Sequence, residues 1–183
     1  MGVRTGIRGR LTADERAFLD RLVAAVGPRL LAYVRRVYGM RDEAEDIAAD
    51  AFCRAADNIA AVRASSKPEL YLLTTARNLC RDRFRRTMVD RAGSLELSRR
   101  PIETADPVET AMGAEQVRFL SDAVVALPQA LREVVVLRLS ADLRFEDIAE
   151  LLHIPLGTAL SRMHSAVQRL RKAMRCVHDS TAG

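Results

Sequence analysis

A segment near the end of the chain carries polar and basic side chains of the types that hydrogen-bond to DNA bases. They follow Gly157 at the start of a helical pattern and are Thr158, Ser161, Arg162, His164 and Ser165. Such groups recognise base edges in the major groove, which is wide enough to admit one α-helix. Cations suited to phosphates come further along the same pattern, at Arg169, Arg171, Lys172 and Arg175. This spacing predicts binding of duplex DNA.

Those side chains need a preceding helix and a tight turn to hold them in a groove. Ala149 provides a small contact between two helices, Ile148 and Leu152 provide apolar packing, and residues 153–155 (His-Ile-Pro) provide the turn. Together they predict a helix-turn-helix. A plain helical hairpin shares this spacing, so the pattern alone leaves both interpretations open.

The charge distribution also indicates an anionic partner. The net charge is +5 and the pI is about 9.6. Residues 63–91 hold eight basic and three acidic side chains, and residues 155–183 hold five and one. Between them, residues 92–154 hold six basic and eleven acidic side chains. Two basic segments therefore flank an acidic one.

The sequence shows no pattern typical of an enzyme or of a metal centre. His153, His164 and His178 lie in no catalytic or metal-ligand spacing, and no glycine-rich phosphate loop occurs. The three cysteines are widely spaced and form no CxxC pair, which suits a reducing compartment. No apolar run reaches the ~18–20 residues of a membrane-spanning helix. We therefore expect a cytoplasmic protein with no catalytic residue, no cofactor, no metal and no membrane insertion.

Composition and periodicity predict helices in the first half of the chain. Aromatic residues are only 4% of the sequence, which is rich in Ala, Leu, Arg and Glu. Capping boxes are predicted at residues 12–15 and 42–45, and residues 27–28 (Gly-Pro) are expected to end the first helix. A loop is expected from Ala61 to Lys67. The buried side of the helix that follows is predicted to be Leu72, Leu73, Ala76, Leu79, Cys80 and Phe84.

A stretch without apolar periodicity separates this half from a second helical region. Pro, Gly and Ser residues are spread along this stretch. About twenty residues without secondary structure are unusual inside one compact domain. We predict an all-α protein with two small helical domains, residues 10–90 and 108–176. A flexible linker, residues 91–107, joins them, and the second domain contains the helix-turn-helix.

Two sets of motifs, in this order, resemble a known family. Residues 44–55 (AEDIAADAFCRA) and 71–83 (YLLTTARNLCRDR) resemble region 2 of bacterial sigma factors. Residues 127–138 (LPQALREVVVLR), 145–152 (FEDIAELL), 154–158 (IPLGT) and 161–162 resemble region 4. Two helical domains with a short linker are the arrangement of the extracytoplasmic-function (ECF) subfamily of the sigma-70 family. The resemblance implies promoter-specific transcription initiation, with core RNA polymerase, promoter DNA and an anti-sigma factor as partners.

The resemblance implies that region 2 docks on the clamp helices of the polymerase β′ subunit, and that region 4 meets the β flap. The polymerase-binding candidates lie on one helix face, at Asp46, Asp50 and Arg54. A solvated charged face with an intrahelical Asp50–Arg54 pair is the alternative for the same residues.

The resemblance also assigns the minus-ten element to region 2, where family members hold a flipped, single-stranded base in a loop. The candidates here are Asn58, Arg63, Ser65, Ser66, Lys67, Tyr71, Arg77, Asn78, Arg81 and Arg85. Arg83 and Arg86 extend the same phosphate track. Tyr71 stands where the family usually has Trp, and core packing is favoured over base stacking for it.

Region 4 would grip the minus-thirty-five duplex, but this chain departs from the family there. Leu160 and Ser165 stand where Lys or Arg is frequent, and His153 replaces the usual turn glycine. Leu160 is expected either to touch a thymine methyl or to pack against protein. His tolerates a left-handed backbone better than most residues, so the turn is expected to form.

Two other functions are compatible with these patterns. One is a stand-alone helix-turn-helix regulator that acts without polymerase. The other is an interaction module that has lost promoter recognition, as the uncharged Leu160 and Ser165 suggest. Charge reversal around Asp46 and Asp50 separates the sigma factor from the regulator.

Overall fold

A computed structural model describes residues 11–92 and 114–181 of the chain. In these residues the secondary structure is helical, with no strand. The chain divides into two compact units between Leu97 and Ser98. The all-α fold class is therefore confirmed. Residues 93–107 of the predicted linker, residue 10 and residues 108–113 lie outside the described residues.

Unit 1 contains four α-helices and a short π-helical segment. They are α1 (Ala13–Tyr33), the π-helical segment (Val34–Tyr38), α2 (Ala44–Asp57), α3 (Ile59–Ala64) and α4 (Pro68–Ala92). Gly39 ends the π-helical segment with φ 69°, a left-handed conformation that glycine adopts without a steric penalty. Helix α4 extends two residues beyond the predicted domain boundary at residue 90.

The capping box at the start of α1 is confirmed. The backbone N–H and the hydroxyl of Thr12 donate to the Glu15 carboxylate at 2.8 and 2.9 Å, and the Glu15 N–H donates to the Thr12 hydroxyl at 3.3 Å. The hydrogen bonds to the Glu15 carboxylate favour its charged form and so lower the pKa of Glu15. The bond from the Thr12 backbone N–H has the largest effect, followed by the bond from the Thr12 hydroxyl.

The predicted end of the first helix at Gly27-Pro28 is wrong, because α1 continues through Pro28 to Tyr33. Val26, Leu30 and Tyr33 are all at most 3% exposed, so burial on both sides of the proline holds the helix together. Pro28 cannot donate to the carbonyl of Ala24, and both residues lie on the exposed side of the helix.

Two further local predictions are wrong. Helix α2 begins at Ala44 with Glu43 as its N-cap and has no side-chain capping bond, so the box at 42–45 does not form. The Glu43 carboxylate instead pairs with Arg83 of α4 at 3.1 Å. The predicted loop from Ala61 onward is helical until Ala64, because Ile59 and Val62 bury one side of α3.

The core of unit 1 lies where α2 packs on α4, the most extensive helix contact of the unit. Helix α2 contributes small side chains, Ala44, Ala51 and Ala55, each fully buried. Such residues let the two helix backbones approach closely. Helix α4 contributes larger ones, among them Leu72 and Leu73.

Unit 2 contains four helices around a second core. They are α5 (Ala114–Ala126), α6 (Gln129–Leu139), α7 (Phe145–Leu152) and α8 (Leu156–Thr181). Val134, Leu137 and Ile148 are fully buried at its centre. Leu127, Val135 and Ala166 form an adjoining cluster, against which Val124, Leu131, Met163 and Leu170 pack. Helix α8 is therefore fixed to α6 along one side.

Candidate nucleic-acid interface

Helices α7 and α8 form the predicted helix-turn-helix. His153 ends α7 in the left-handed conformation, with φ 55° and ψ 49°. Its N–H donates to the Glu150 carbonyl at 3.2 Å, and the Ile154 N–H donates to the Ala149 carbonyl at 3.0 Å. This pair of bonds is a Schellman motif, usually built on glycine. The expectation that histidine maintains the turn is confirmed.

The end of α6 supports the first helix of this motif. The Arg138 guanidinium donates to Asp142 at 3.1 Å and to the Leu143 carbonyl at 3.4 Å. It also lies 5.9 Å from the centre of the Phe145 ring, at the first residue of α7. Arg138 thereby connects the loop before α7 to both neighbouring helices.

Helix α8 turns its polar residues outward. Ala159 and Ala166 are fully buried, while Ser161, His164 and Ser165 are exposed and Thr158 and Arg162 are partly exposed. The Ser161 hydroxyl donates to the Thr158 carbonyl at 3.1 Å, which leaves its oxygen lone pairs as acceptors. The cations further along are exposed, at Arg169, Arg171, Lys172 and Arg175. The predicted base-reading and phosphate-binding sets therefore share one surface.

The three polymerase-binding candidates of α2 are all exposed. Their surroundings differ from the intrahelical Asp50–Arg54 pair of the alternative interpretation, because the Asp50 carboxylate accepts a hydrogen bond from Arg83 of α4 at 3.3 Å. The same guanidinium bonds Glu43 at 3.1 Å, so one side chain bridges two carboxylates of the α2 region. Arg83 therefore orients Asp50 from the neighbouring helix.

Asn58 and Tyr71 meet at the junction of α2 and α3. The Asn58 amide donates to the Arg54 carbonyl at 3.0 Å and to the Tyr71 hydroxyl at 3.4 Å. The Tyr71 hydroxyl in turn donates to the Arg54 carbonyl at 3.5 Å. Tyr71 is half-buried, so the structure gives it a role in holding the end of α2.

The segment between α3 and α4 presents several of the minus-ten candidates. Arg63, Ser65 and Ser66 are exposed, and Lys67 is partly exposed. The Ser65 hydroxyl accepts the Lys67 N–H at 3.1 Å, and the Arg63 guanidinium lies 5.9 Å from the centre of the Phe18 ring. These contacts define the shape of the segment.

The candidates on α4 fall into two environments. Asn78, Arg81 and Arg85 are exposed, and Arg85 pairs with Asp82 at 3.0 Å. Arg77 is only 9% exposed, and burial separates it from the surface on which its neighbours lie. A helix residue near the core cannot reach a phosphate without a change in packing.

Comparison with known proteins decides the family. The family model for Sigma-70 region 2 matches residues 22–88, and that for Sigma-70 region 4 matches residues 123–172. The ECF RNA polymerase sigma factor SigW of Bacillus subtilis is 31% identical over 184 residues, covering 96% of this chain and 98% of the relative. The ECF RNA polymerase sigma factor EcfG of Rhodopseudomonas palustris is 31% identical over 156 residues, covering 82% of this chain and 81% of the relative. The chain belongs to the ECF subfamily of sigma-70 factors.

A solved structure shares the fold of this sigma factor. It is the sigma factor RpoE in complex with the anti-sigma factor NepR from Bartonella quintana, with a TM-score of 0.73 and 22% identity. The structural match covers 87% of this chain and 98% of the solved RpoE chain. The match to region 2, which lies outside the helix-turn-helix, favours a promoter-directing sigma factor over a stand-alone regulator.

Two residues of this sigma factor have surroundings that sequence patterns did not predict. Phe84 was expected in the core of α4 but is 49% exposed, between Arg83 and Arg85. An exposed aromatic among cations is a feature of single-strand binding surfaces. Arg83 was predicted on the phosphate track, and in the structure it pairs with Glu43 and Asp50 of the α2 region. Its partners lie 40 and 33 residues away, so no local pattern could reveal them.

The described part of the sigma factor contains neither a grouped metal-ligand set nor a helix suited to a bilayer. Among residues 11–86 and 119–175, whose side chains the structure describes, no group of three or more His, Cys, Asp or Glu side chains is placed to hold a metal ion. None of the helices described there combines the length and apolar character needed to cross a membrane.

Proposed function

We propose that unit 1 of this ECF sigma factor binds core RNA polymerase and the minus-ten element, while unit 2 binds the minus-thirty-five duplex. The observation that carries this division is that both sigma-70 regions match, in order, along a chain that aligns with nearly the whole of SigW. Under this proposal the domains span residues 10–90 and 108–176, joined by the linker 91–107.

In the proposed polymerase contact, Asp46, Asp50 and Arg54 of α2 meet basic and acidic side chains of the β′ clamp helices. Asp46 and Asp50 lie one helical turn apart, so their carboxylates face the same partner surface. Arg83 acts as a positioning residue, because its bonds to Glu43 and Asp50 restrict the carboxylate that the polymerase would meet.

The proposed minus-ten surface combines the segment between α3 and α4 with the exposed side of α4. Its residues are Asn58, Arg63, Ser65, Ser66, Lys67, Tyr71, Asn78, Arg81 and Arg85. Cations here would track the backbone of the displaced strand, and Asn58 and the two serines supply hydrogen bonds to an unstacked base. Arg77 is assigned to the core of this unit, since it is buried.

In unit 2, the outward face of α8 enters the major groove of the minus-thirty-five duplex. Thr158, Ser161, Arg162, His164 and Ser165 contact base edges, and Arg169, Arg171 and Lys172 contact phosphates. The same unit meets the β flap of the polymerase. Affinity for DNA then depends on salt, because each phosphate contact releases counterions.

The family supports proposals on the regulation and location of this chain. The fold shared with RpoE in its complex with NepR supports an anti-sigma factor as a partner of this chain. Sigma factors act with cytoplasmic polymerase, which supports a cytoplasmic protein. The chain itself is not expected to be an enzyme, because nucleotide addition belongs to the polymerase.

The experiment that tests this function is run-off transcription with purified bacterial core polymerase on a library of the host's upstream regions. The unmodified protein is expected to yield specific transcripts. Asp46→Arg is expected to remove them and to weaken binding to core polymerase, since it presents a cation to the partner's basic surface. Asp46 is the first choice because Asp50 also supports packing through Arg83.

The matched control is Asp20→Arg, which reverses the same charge at an exposed position of α1. It is expected to transcribe like the unmodified protein. Tight duplex binding with neither transcripts nor core binding would contradict the proposal and favour the stand-alone regulator. Full activity of Asp46→Arg would contradict the assignment of the polymerase contact to α2.

A further inference from the structure

Two leucines lie exposed on successive turns at the start of α8. Leu156 is 40% and Leu160 is 46% exposed, although leucine is usually buried. The inward side of this helix is formed by other residues, among them Ala159, Ala166 and Met163. The two leucines therefore form a partly exposed apolar edge beside the packed side of the helix.

This apolar edge adjoins the polar residues proposed to read bases. Leu160 lies one turn before His164 and next to Ser161, and both of these are exposed. Single exposed leucines are common on protein surfaces and carry no meaning by themselves. The position of this pair, on the first turns of the second helix of a helix-turn-helix, places it where side chains meet base edges.

The charge of α8 indicates what covers the leucines. Its first ten residues, 156–165, contain one cation, Arg162, whereas residues 169–175 contain four. The cations attract a polyanion along the later turns, so the adjacent apolar edge faces the groove of the same duplex. Only one base presents an apolar group in the major groove, namely thymine through its C5 methyl.

We propose that Leu160, with Leu156 beside it, contacts thymine methyl groups in the minus-thirty-five duplex. This specificity contact rests on the function proposed above. A leucine facing guanine or cytosine would remove polar atoms from water without offering a hydrogen bond, so G·C pairs are rejected at the same position. Recognition at this position therefore combines apolar contact with thymine and rejection of G·C pairs.

The test uses the holoenzyme on its own promoter, with each thymine of the minus-thirty-five element replaced in turn by deoxyuridine. This change removes the methyl group and leaves base pairing intact. Transcription at limiting holoenzyme is expected to fall about fourfold at one or two positions, the effect of losing one buried methyl group. In Leu160→Ala the same templates are expected to be equivalent, since the contact is already absent.

Leu139→Ala is the matched control, because Leu139 is a leucine of α6 that is 69% exposed. Transcription by the Leu139→Ala variant is expected to fall on the deoxyuridine templates as it does with the unmodified protein. A second variant, Leu160→Arg, is expected to shift the preferred base at the contacted position from thymine to guanine, because a guanidinium bonds the O6 and N7 atoms of guanine.

Two results would overturn the proposal. One is promoter-specific transcription that no deoxyuridine substitution changes, which leaves the sigma function intact. The other is an equal deoxyuridine effect in Leu160→Ala and the unmodified protein, which would assign the methyl contact to another residue. Failure to transcribe any unmodified template would overturn the sigma function together with this inference, so the two failures are distinguishable.

Discussion

At the scale of single residues, Arg83 and Arg85 show how neighbouring cations on one helix acquire different roles. The Arg83 side chain is 27% exposed and joins α4 to Glu43 and Asp50. The Arg85 side chain is 77% exposed and pairs within its own helix with Asp82. Both are arginines in a basic run, so charge counting treats them alike. Their helix faces decide that one supports packing and the other lies on the exposed surface proposed for DNA.

We expect Arg83→Ala to lower the free energy of unfolding of unit 1 by about 1 kcal/mol, the combined contribution of two partly exposed ion pairs. Arg85→Ala is the control and is expected to cost about 0.3 kcal/mol, typical of an exposed pair within one helix. Urea unfolding of the full chain, followed by circular dichroism, measures both.

The difference between these two variants should decrease in 1 M salt, because added ions screen partly exposed charges. Equal losses in both variants at low salt would contradict the bridging role of Arg83.

Glu15 predicts a pH dependence of stability. Hydrogen bonds from Thr12 lower the pKa of Glu15 in the folded state, so its contribution is present above the pKa of the unfolded chain and is lost as the pH falls through the folded value. Glu15→Gln is therefore expected to be less stable than the unmodified protein at pH 7, and the gap should close as the pH falls through the lowered pKa of Glu15.

Thermal unfolding at several pH values measures that gap. The control Asp14→Asn removes a carboxylate from the same helical turn without altering the Thr12–Glu15 bonds. A gap for Glu15→Gln that stays constant down to strongly acidic pH would contradict the capping contribution.

At the scale of secondary-structure elements, the turn between α7 and α8 stores backbone strain. His153 has φ 55°, a region that costs residues with a Cβ roughly 1 kcal/mol or more. His153→Gly is expected to stabilise unit 2 by about 1 kcal/mol and to slow amide exchange in α7 and α8. Because the backbone is unchanged, DNA binding by α8 should be unaffected.

Asp142→Gly tests the same reasoning at a second non-glycine residue with positive φ, 51°. Asp142→Gly should gain less stability than His153→Gly, because it also removes the carboxylate that pairs with Arg138 at 3.1 Å. A loss of stability in His153→Gly would show that the imidazole itself supports the turn.

Helix α1 illustrates how packing overrides a local signal. Gly-Pro ordinarily marks a boundary between helices, yet α1 passes through Pro28. The decisive contacts are those of Leu30 and Tyr33, which are fully buried by other parts of unit 1. A pattern confined to residues near the proline contains no information on these partners.

At the scale of the whole molecule, each unit has a hydrophobic core of its own. Fully buried side chains lie at the centre of each, for example Ile47 and Leu72 in unit 1 and Leu137 and Ile148 in unit 2. We expect residues 1–97 and 98–183, produced separately, each to unfold cooperatively.

The far-ultraviolet circular dichroism spectra of the two fragments are expected to add up to the spectrum of the full chain. Calorimetry measures the thermal unfolding transition of each fragment. A fragment without a cooperative transition would contradict the independence of its core. Duplex binding by 98–183 alone, absent from 1–97, would further support the proposed assignment of the minus-thirty-five contact.

Periodicity and turn chemistry were sufficient to predict the fold class, the capping box at Thr12 and the helices of the helix-turn-helix. These features depend on residues within a few positions of one another, because hydrogen bonds and side-chain spacing along a helix are local. The outward placement of Ser161, His164 and Ser165 belongs to this group, since the buried side of α8 is visible in the pattern Ala159, Met163, Ala166 and Leu170.

Tertiary structure alone decided the passage of α1 through Pro28, the helical α3, the bridge from Arg83, the burial of Arg77 and the exposure of Phe84. Each depends on which distant helix lies against the residue, and that information is absent from any local window. The partly exposed edge of Leu156 and Leu160 belongs here too, because a leucine on a helix is expected in the core until the packing shows how much of it stays exposed.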